Sequence, residues 1–177
     1  GELRPCIALH MWVDSAGRQK RYKFERGIMR SAARLTYSQV QNARDGQADG
    51  VSAPILNTVI MPLYGAYQSL QVDRARRSPL NIKTSEWDFQ LNEGNEILSI
   101  SPQPHHDSHK LIEEFMIRAN VVAAESLAER KALNLFRVHE TPDRERLTAL
   151  RDLLGSLGYK LALDNNVTPA KFNAFLT

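Results

Sequence analysis

Within nine residues the sequence gathers His105, His106, Asp107, His109 and Glu113, side chains of the kinds that bind transition metals and move protons. Such a density of imidazole and carboxylate raises the question of a small metallohydrolase, which bound zinc in the purified chain would establish. The spacing argues against it. No His-Glu-x-x-His and no paired cysteines are present, and two adjacent histidines at the start of a helix cannot easily share one ion. Other signatures of chemistry are missing too: no glycine precedes a helix in the spacing of a phosphate loop, and no Gly-x-Ser-x-Gly elbow occurs. The single Cys6 cannot form an internal disulfide and sits in an apolar run, which makes it a small core residue rather than a nucleophile.

The cluster opens a helix that the periodicity carries to about Arg130. Leu111, Ile112, Phe115, Met116, Ala119, Val122, Ala123 and Leu127 form a broad apolar face, and Ile117, Val121 and Ala124 lie behind it. A helix apolar nearly all round belongs inside a fold, so Glu113, Glu114 and Arg118 need partners. The plain solution is pairing along the helix, His109 with Glu113, and Lys110, Glu114 and Arg118 in succession, each step at i,i+4 spacing. Asp107 or Ser108 is the expected cap of this helix.

The elements around it read as one mixed domain, an α+β fold with a twisted, antiparallel-rich sheet and this helix buried at its centre. Cys6 to Val13 and Gln19 to Met29 are strands joined by the Asp14-Ser15-Ala16-Gly17 turn, the second alternating Tyr22, Phe24 and Arg26 with Arg21, Lys23 and Glu25. Thr36 caps a short helix ending near Arg44. Helical spacing continues from Ala53 to Arg77, with a kink expected at Pro62. Its closing Arg74, Arg76 and Arg77 suit the helix dipole and could equally meet phosphates. Glu86 to Leu91 and Glu96 to Ile100 form a second hairpin about Asn92-Glu93-Gly94-Asn95. A buried strand from Leu135 to His139, a helix capped by Thr141 with Pro142 at its first position, stopping at Gly158, and a last helix over Ala170 to Leu176 complete the chain.

The 177 residues suffice for a sizeable core, and 42% hydrophobic with 24% charged residues is ordinary globular composition. No run approaches the roughly 20 apolar residues that span a bilayer, and the first residues lack the apolar run of a signal peptide, so a cytoplasmic protein with no membrane partner is expected. Residues 1–44 carry nine basic and three acidic side chains, while the remainder carries 14 basic and 17 acidic. That one-sided start is compatible with a polyanion such as nucleic acid and equally with a solvated strand face.

Three segments resemble the catalytic RNB domain of the ribonuclease II and ribonuclease R family. Tyr22-Lys23-Phe24 through Arg30-Ser31-Ala32-Ala33-Arg34-Leu35-Thr36-Tyr37 is similar to the family's strand followed by R-S-x-A-R-L-T-Y. His109 to Asn120 is similar to its H-K-L-I-E-E-x-M-x-x-A-N, and Leu135 to Pro142 to its L-F-R-V-H-x-x-P. Their order and intervals agree, and together they cover essentially the whole chain.

The resemblance implies a processive 3′-to-5′ exoribonuclease that hydrolyses single-stranded RNA to nucleoside monophosphates by Mg²⁺-assisted water attack. The family's metal-binding aspartates lie in a D-x-x-D-F-D-D-A type stretch upstream, and an arginine-bearing segment lies downstream; neither is in this sequence. Residues 1–177 are therefore expected to be the middle portion of the catalytic domain, with the Mg²⁺ ligands outside the chain and the isolated chain inactive. By resemblance, Tyr37 matches a tyrosine near the 3′-terminal nucleotide. Glu114, or Glu113 if the register is off by one, matches a glutamate that orients the terminal ribose. Ile82 stands where the family often has a base-clamping phenylalanine, and Arg34 and Arg30 are candidate backbone contacts. His105-His106 replaces a common Arg-Asn. The implied partner is single-stranded RNA, with other RNA-decay proteins as possible companions; the alternative is a non-catalytic RNA-binding or protein-interaction module derived from the domain.

Overall fold

The computed structural model describes residues 1–82, 86–161, 168–173 and 176. It is a mixed helix and strand structure whose strands form two antiparallel sheets. The chain divides into two compact units, Gly1–Arg76 with Ser85–Ala132, and Arg77–Thr84 with Leu133–Thr177. Among the described residues no helix is long and apolar enough to cross a membrane.

In the first unit, β1 (Leu3–Val13) pairs with β2 (Gln19–Arg30) in antiparallel register from Leu3 opposite Arg30 to Trp12 opposite Arg21. The alternation expected of β2 holds. Leu9, Met11, Tyr22 and Phe24 share one face, and Arg4, His10, Trp12, Arg21 and Lys23 share the other. The turn closes on Asp14, whose Oδ1 accepts from the N–H groups of Ala16 and Arg18 at 3.0 and 2.9 Å, while Gly17 takes a φ of 72°.

Helix α1 (Tyr37–Arg44) begins at the predicted cap: Thr36 Oγ1 accepts from the Gln39 N–H at 3.2 Å and Gln39 Oε1 accepts from the Thr36 N–H at 2.8 Å. The kink expected at Pro62 lies upstream of it. Ala53–Ile55 is a 3₁₀ turn and Leu56–Ile60 a π turn before α2 (Met61–Arg77) becomes regular. Pro62 has no N–H for the carbonyl of Thr58, and the wider turn absorbs that missing bond. The second hairpin, β3 (Trp87–Leu91) with β4 (Ile97–Pro102), turns on Asn92 as predicted, its Oδ1 accepting from Gly94 and Glu96 at 2.9 Å.

Helix α3 spans Asp107–Glu129 and is capped by His106, ahead of the predicted Asp107 or Ser108. Its buried residues are Ser108, Leu111, Glu114, Val122 and Ser126, one edge only; Ile112, Met116 and Val121 are exposed. Hydrophobicity alone placed the buried face to one side of this edge. Polar side chains with partners on α1 and α2 turn the helix instead. The core of the unit joins Ala43, Ile60, Tyr64, Tyr67 and Leu111, with Leu35, Val40, Ile55, Leu56 and Phe115 against them.

In the second unit, α4 (Arg144–Ser156) is capped by Asp143, whose Oδ1 accepts from the Arg146 N–H at 2.7 Å. The predicted cap at Thr141 is therefore wrong by two residues, because Asp143 can reach the open N–H groups directly. Gly158, with a φ of 86°, lies just past its end as expected. Leu135 to His139 is not a strand, and Leu135 is 99% exposed. A strand exists through its ladder, and among the described residues none pairs with this one. The last helix, α5, covers Pro169–Asn173; of the predicted remainder, Ala174 and Phe175 lie outside the described residues.

Candidate functional site

The two sequence-predicted segments R-S-x-A-R-L-T-Y and H-K-L-I-E-E meet where α1 and α3 begin. Ser108 Oγ donates to the carbonyl of Tyr37 at 2.9 Å, and Gln41 Oε1 accepts from the Ser108 N–H at 3.3 Å. Arg44 Nη1 donates to Asp107 Oδ2 at 2.9 Å and its guanidinium lies 4.7 Å from the Tyr64 ring centroid. These ties lock the start of α3 onto α1. Tyr37, a residue 43% exposed, is thereby held by its backbone while its ring lies nearly parallel to His109 with centroids 4.0 Å apart.

Beside this stack opens a cleft of about 440 Å³, whose walls include Leu35, Val59, Leu63 and Ile112, with Tyr37 and Ser108 on its lining. Such a space, apolar with an aromatic ring at its margin, suits a flat planar ligand. The histidines pack against one another as rings: His105 and His106 lie 5.2 and 5.7 Å from His109. Burial, then the neighbouring His105 and His106, hold the His109 imidazole below its ordinary value. Its Nδ1 accepts the His106 N–H at 3.1 Å, and His105 Nε2 is directed at Glu113 at 3.2 Å.

The predicted intrahelical pairing is overturned. Glu113 turns to His105, Lys110 to Asp107, Glu114 to Arg74 of α2, and Arg118 to Asp73 of α2 at 2.6 Å. A second helix carrying opposite charge at the same level satisfies these groups where they are buried, which exposed i,i+4 contacts do not. Glu114 is only 3% exposed, whereas half of the Glu113 side chain is open to solvent. Asp73, absent from the predicted set, is the centre of the network: Arg118 and Arg76 both reach it, and Arg118 also donates to the Gly17 carbonyl at 3.3 Å. Burial pushes its carboxyl up, but Arg76 and Arg118 outweigh this and hold it below the ordinary value. The sequence signal was the stripe Tyr64, Tyr67, Leu70, Asp73, which continues a buried face into an acid.

The remaining candidates fall elsewhere. Arg30, at the end of β2, and Arg34, before α1, are exposed. Ile82 belongs to the second unit and is 64% exposed; the neighbouring Asn81 N–H is held by Asn173 Oδ1 at 2.8 Å. The Mg²⁺ implied by the resemblance does not fit this chain's own donors. Among the described residues no three His, Cys, Asp or Glu side chains gather for an ion, and the two buried acids are faced by arginines.

The family model described as RNB domain matches residues 1–176. The chain belongs to the RNB domain family. Among curated relatives of this RNB segment, ribonuclease R of Vibrio cholerae is 38% identical over 160 residues, covering 90% of this chain and 20% of the relative. Ribonuclease R of Escherichia coli is 35% identical over 175 residues, covering 98% of this chain and 21% of the relative. The chain thus spans about a fifth of the length of the relatives it matches. Its backbone is similar to Mycoplasma genitalium RNase R, solved in complex with ribose methylated single-stranded RNA. The TM-score is 0.88 at 22% identity over 99% of this chain and 28% of that one, a likeness of fold.

Proposed function

We propose that this RNB segment positions the 3′ end of single-stranded RNA in a processive 3′-to-5′ exoribonuclease of the cytoplasm, one that releases nucleoside monophosphates. The observation that carries the reading is the Tyr37–His109 stack beside the apolar cleft. A terminal base laid against the exposed Tyr37 ring continues a stack that His109 backs from the other side, and α1 and α3 hold that surface rigidly. The ribonuclease R relatives support RNA as the polymer, and the family resemblance supplies the direction of attack as an expectation.

Glu113 is the accessible carboxylate for the ribose hydroxyls, which distinguish RNA from DNA. Glu114 acts behind it by holding Arg74. Arg30 and Arg34 meet the phosphate backbone as exposed cations, and Ile82 covers a base without offering a π face. Mg²⁺, in the same reading, would be held by residues outside this chain and would there supply activation of the attacking water. Cooperation with other RNA-decay proteins is part of the same reading.

The test uses the full-length protein and a 5′-labelled single-stranded RNA. Tyr37→Ala should lower the affinity for short RNA about tenfold, within the ~1–3 kcal/mol of one base stack, and lengthen the end product. Tyr37→Phe should keep both near wild type. Glu113→Gln should narrow the preference for a ribose over a deoxyribose 3′ end, and Glu114→Gln should not. An unchanged end product and affinity in Tyr37→Ala would overturn the proposal.

A further inference from the structure

The exposed face of the β1–β2 hairpin carries a row of planar and cationic groups that the cleft does not use. Arg21 and Trp12 are cross-strand partners, and the guanidinium lies 3.8 Å from the indole centroid. His10, two residues before Trp12 on the same strand, faces the indole at 6.1 Å and 27°. Lys23 stands opposite His10. Trp12 is 38% exposed, so the hairpin offers solvent a large planar surface beside the Arg21 cation.

The charges on this face are unevenly satisfied. Glu25, its one acid within the two strands, is occupied by His10 Nε2 at 3.0 Å and by Lys23. Among the described residues Arg4 meets only the highly exposed Glu2 at 3.6 Å, and Lys20 at the turn pairs with Asp14 at 3.0 Å. The Arg21 guanidinium has neither a carboxylate nor a hydrogen-bond acceptor among the described residues. It therefore presents one face to the indole and leaves a planar fork of donors open.

We propose that this face is a contact surface for single-stranded RNA, with bases stacking on the Trp12–Arg21 platform and phosphates meeting Arg21, Lys23 and Arg4. Flat π surfaces alternating with cations are what a flexible polyanion with unpaired bases rewards, largely without regard to sequence. None of these residues lines the cleft beside Tyr37. The surface adds a second hold on a strand long enough to reach both. It rests on the proposed function for the identity of the polymer and not for the surface itself.

The experiment is anisotropy of labelled single-stranded RNA, long and short, on the full-length protein with divalent metal chelated. Trp12→Ala and Arg21→Gln should each weaken long RNA about tenfold and leave short RNA unchanged; Arg21→Gln should also reduce the salt slope by about one. Loss confined to long RNA supports this surface even where the Tyr37 site fails its own test on short RNA. Covalent labelling read by peptide mass spectrometry should modify Trp12 in the free protein and find it protected when long RNA is bound. If Trp12→Ala does not fold, Arg21→Gln and Lys23→Gln decide, since both leave the packed face of the hairpin intact. Unchanged affinity for long RNA, or a Trp12 unlabelled in the free full-length protein because another part of it covers the face, overturns the proposal.

Discussion

Replacing Arg118 with leucine should unfasten three elements at once. Its Nη2 joins α3 to Asp73 of α2 at 2.6 Å and to the Gly17 carbonyl of the β1–β2 turn at 3.3 Å. Leucine keeps much of the apolar stem, so the loss isolates the charge. At an effective dielectric of about 20 and about 4 Å between charges, the pair is worth ~4 kcal/mol before desolvation. Removing one partner of a buried pair costs ~3–5 kcal/mol, and because Arg76 still reaches Asp73 the lower figure, about 3 kcal/mol, is expected. The pH dependence gives the cause. In the wild type the depressed Asp73 carboxyl contributes stability that is present above its unfolded value of 3.8 and is lost as pH falls through the lower folded value. Without Arg118, burial weighs more heavily against the charged form, so the deficit is largest near neutral pH and shrinks as the carboxyl protonates. Urea denaturation at pH 7 and below pH 4 measures both. Asp73→Asn added to Arg118→Leu should then recover part of the loss. A single variant within about 0.5 kcal/mol of wild type, or a deficit that grows on acidification, refutes the reasoning.

Two further perturbations test the same unit. Gly17→Ala combines a φ of 72° with a Cβ that would lie 2.9 Å from Asp73 Cβ and meet the Ser69 carbonyl, so it should cost at least ~2 kcal/mol. Gly27→Ala, which meets only Cys6 Sγ at 3.8 Å, should be mild in the same thermal melts, and equal effects would contradict the account. Asp49 accepts the Ser52 N–H and hydroxyl and the Gln39 amide, which push its carboxyl down to about 2. Its stabilising contribution is therefore complete above 3.8 and lost as pH falls through about 2; NMR titration should find a low midpoint that rises in Ser52→Ala, and an ordinary wild-type midpoint would refute it.

What the sequence disclosed was local. The Asp14–Gly17 turn, the Thr36 cap and the Asn92 hairpin are fixed by side chains acting on backbone within four residues, and all three stand as read. The resemblance found the family by matching whole segments. The orientation of α3 was illegible because hydrophobicity ranks residues without knowing their partners: Glu114 and Ser108 are buried for the sake of Arg74 and the Tyr37 carbonyl, both distant in sequence. Arg74 was visible, but a terminal dipole explained it without any acid. Leu135 to His139 misled for the opposite reason, since strand propensity is a preference for a pleated partner and cannot supply one.

The same distinction explains why Tyr37 remains the strongest candidate for contact with substrate. Among the described residues, the hydrogen bonds and ring contact that fix it act on its backbone or on one ring face: the Thr36 cap before it, Ser108 on its carbonyl, His109 against its ring. Tyr37 is also 43% exposed, and under the proposed function that open surface is where a base would stack. A residue serving only the core would be tied through its ring and covered on both sides, as Tyr64 is by Arg44, Tyr67 and its hydroxyl bond to Gln41. Two tyrosines at one helix junction thus divide the work, Tyr64 holding α1 to α2 and Tyr37 presenting a surface whose position that packing sets. Removing Tyr64 should consequently loosen the fold, whereas removing the Tyr37 ring should change recognition while leaving the fold in place.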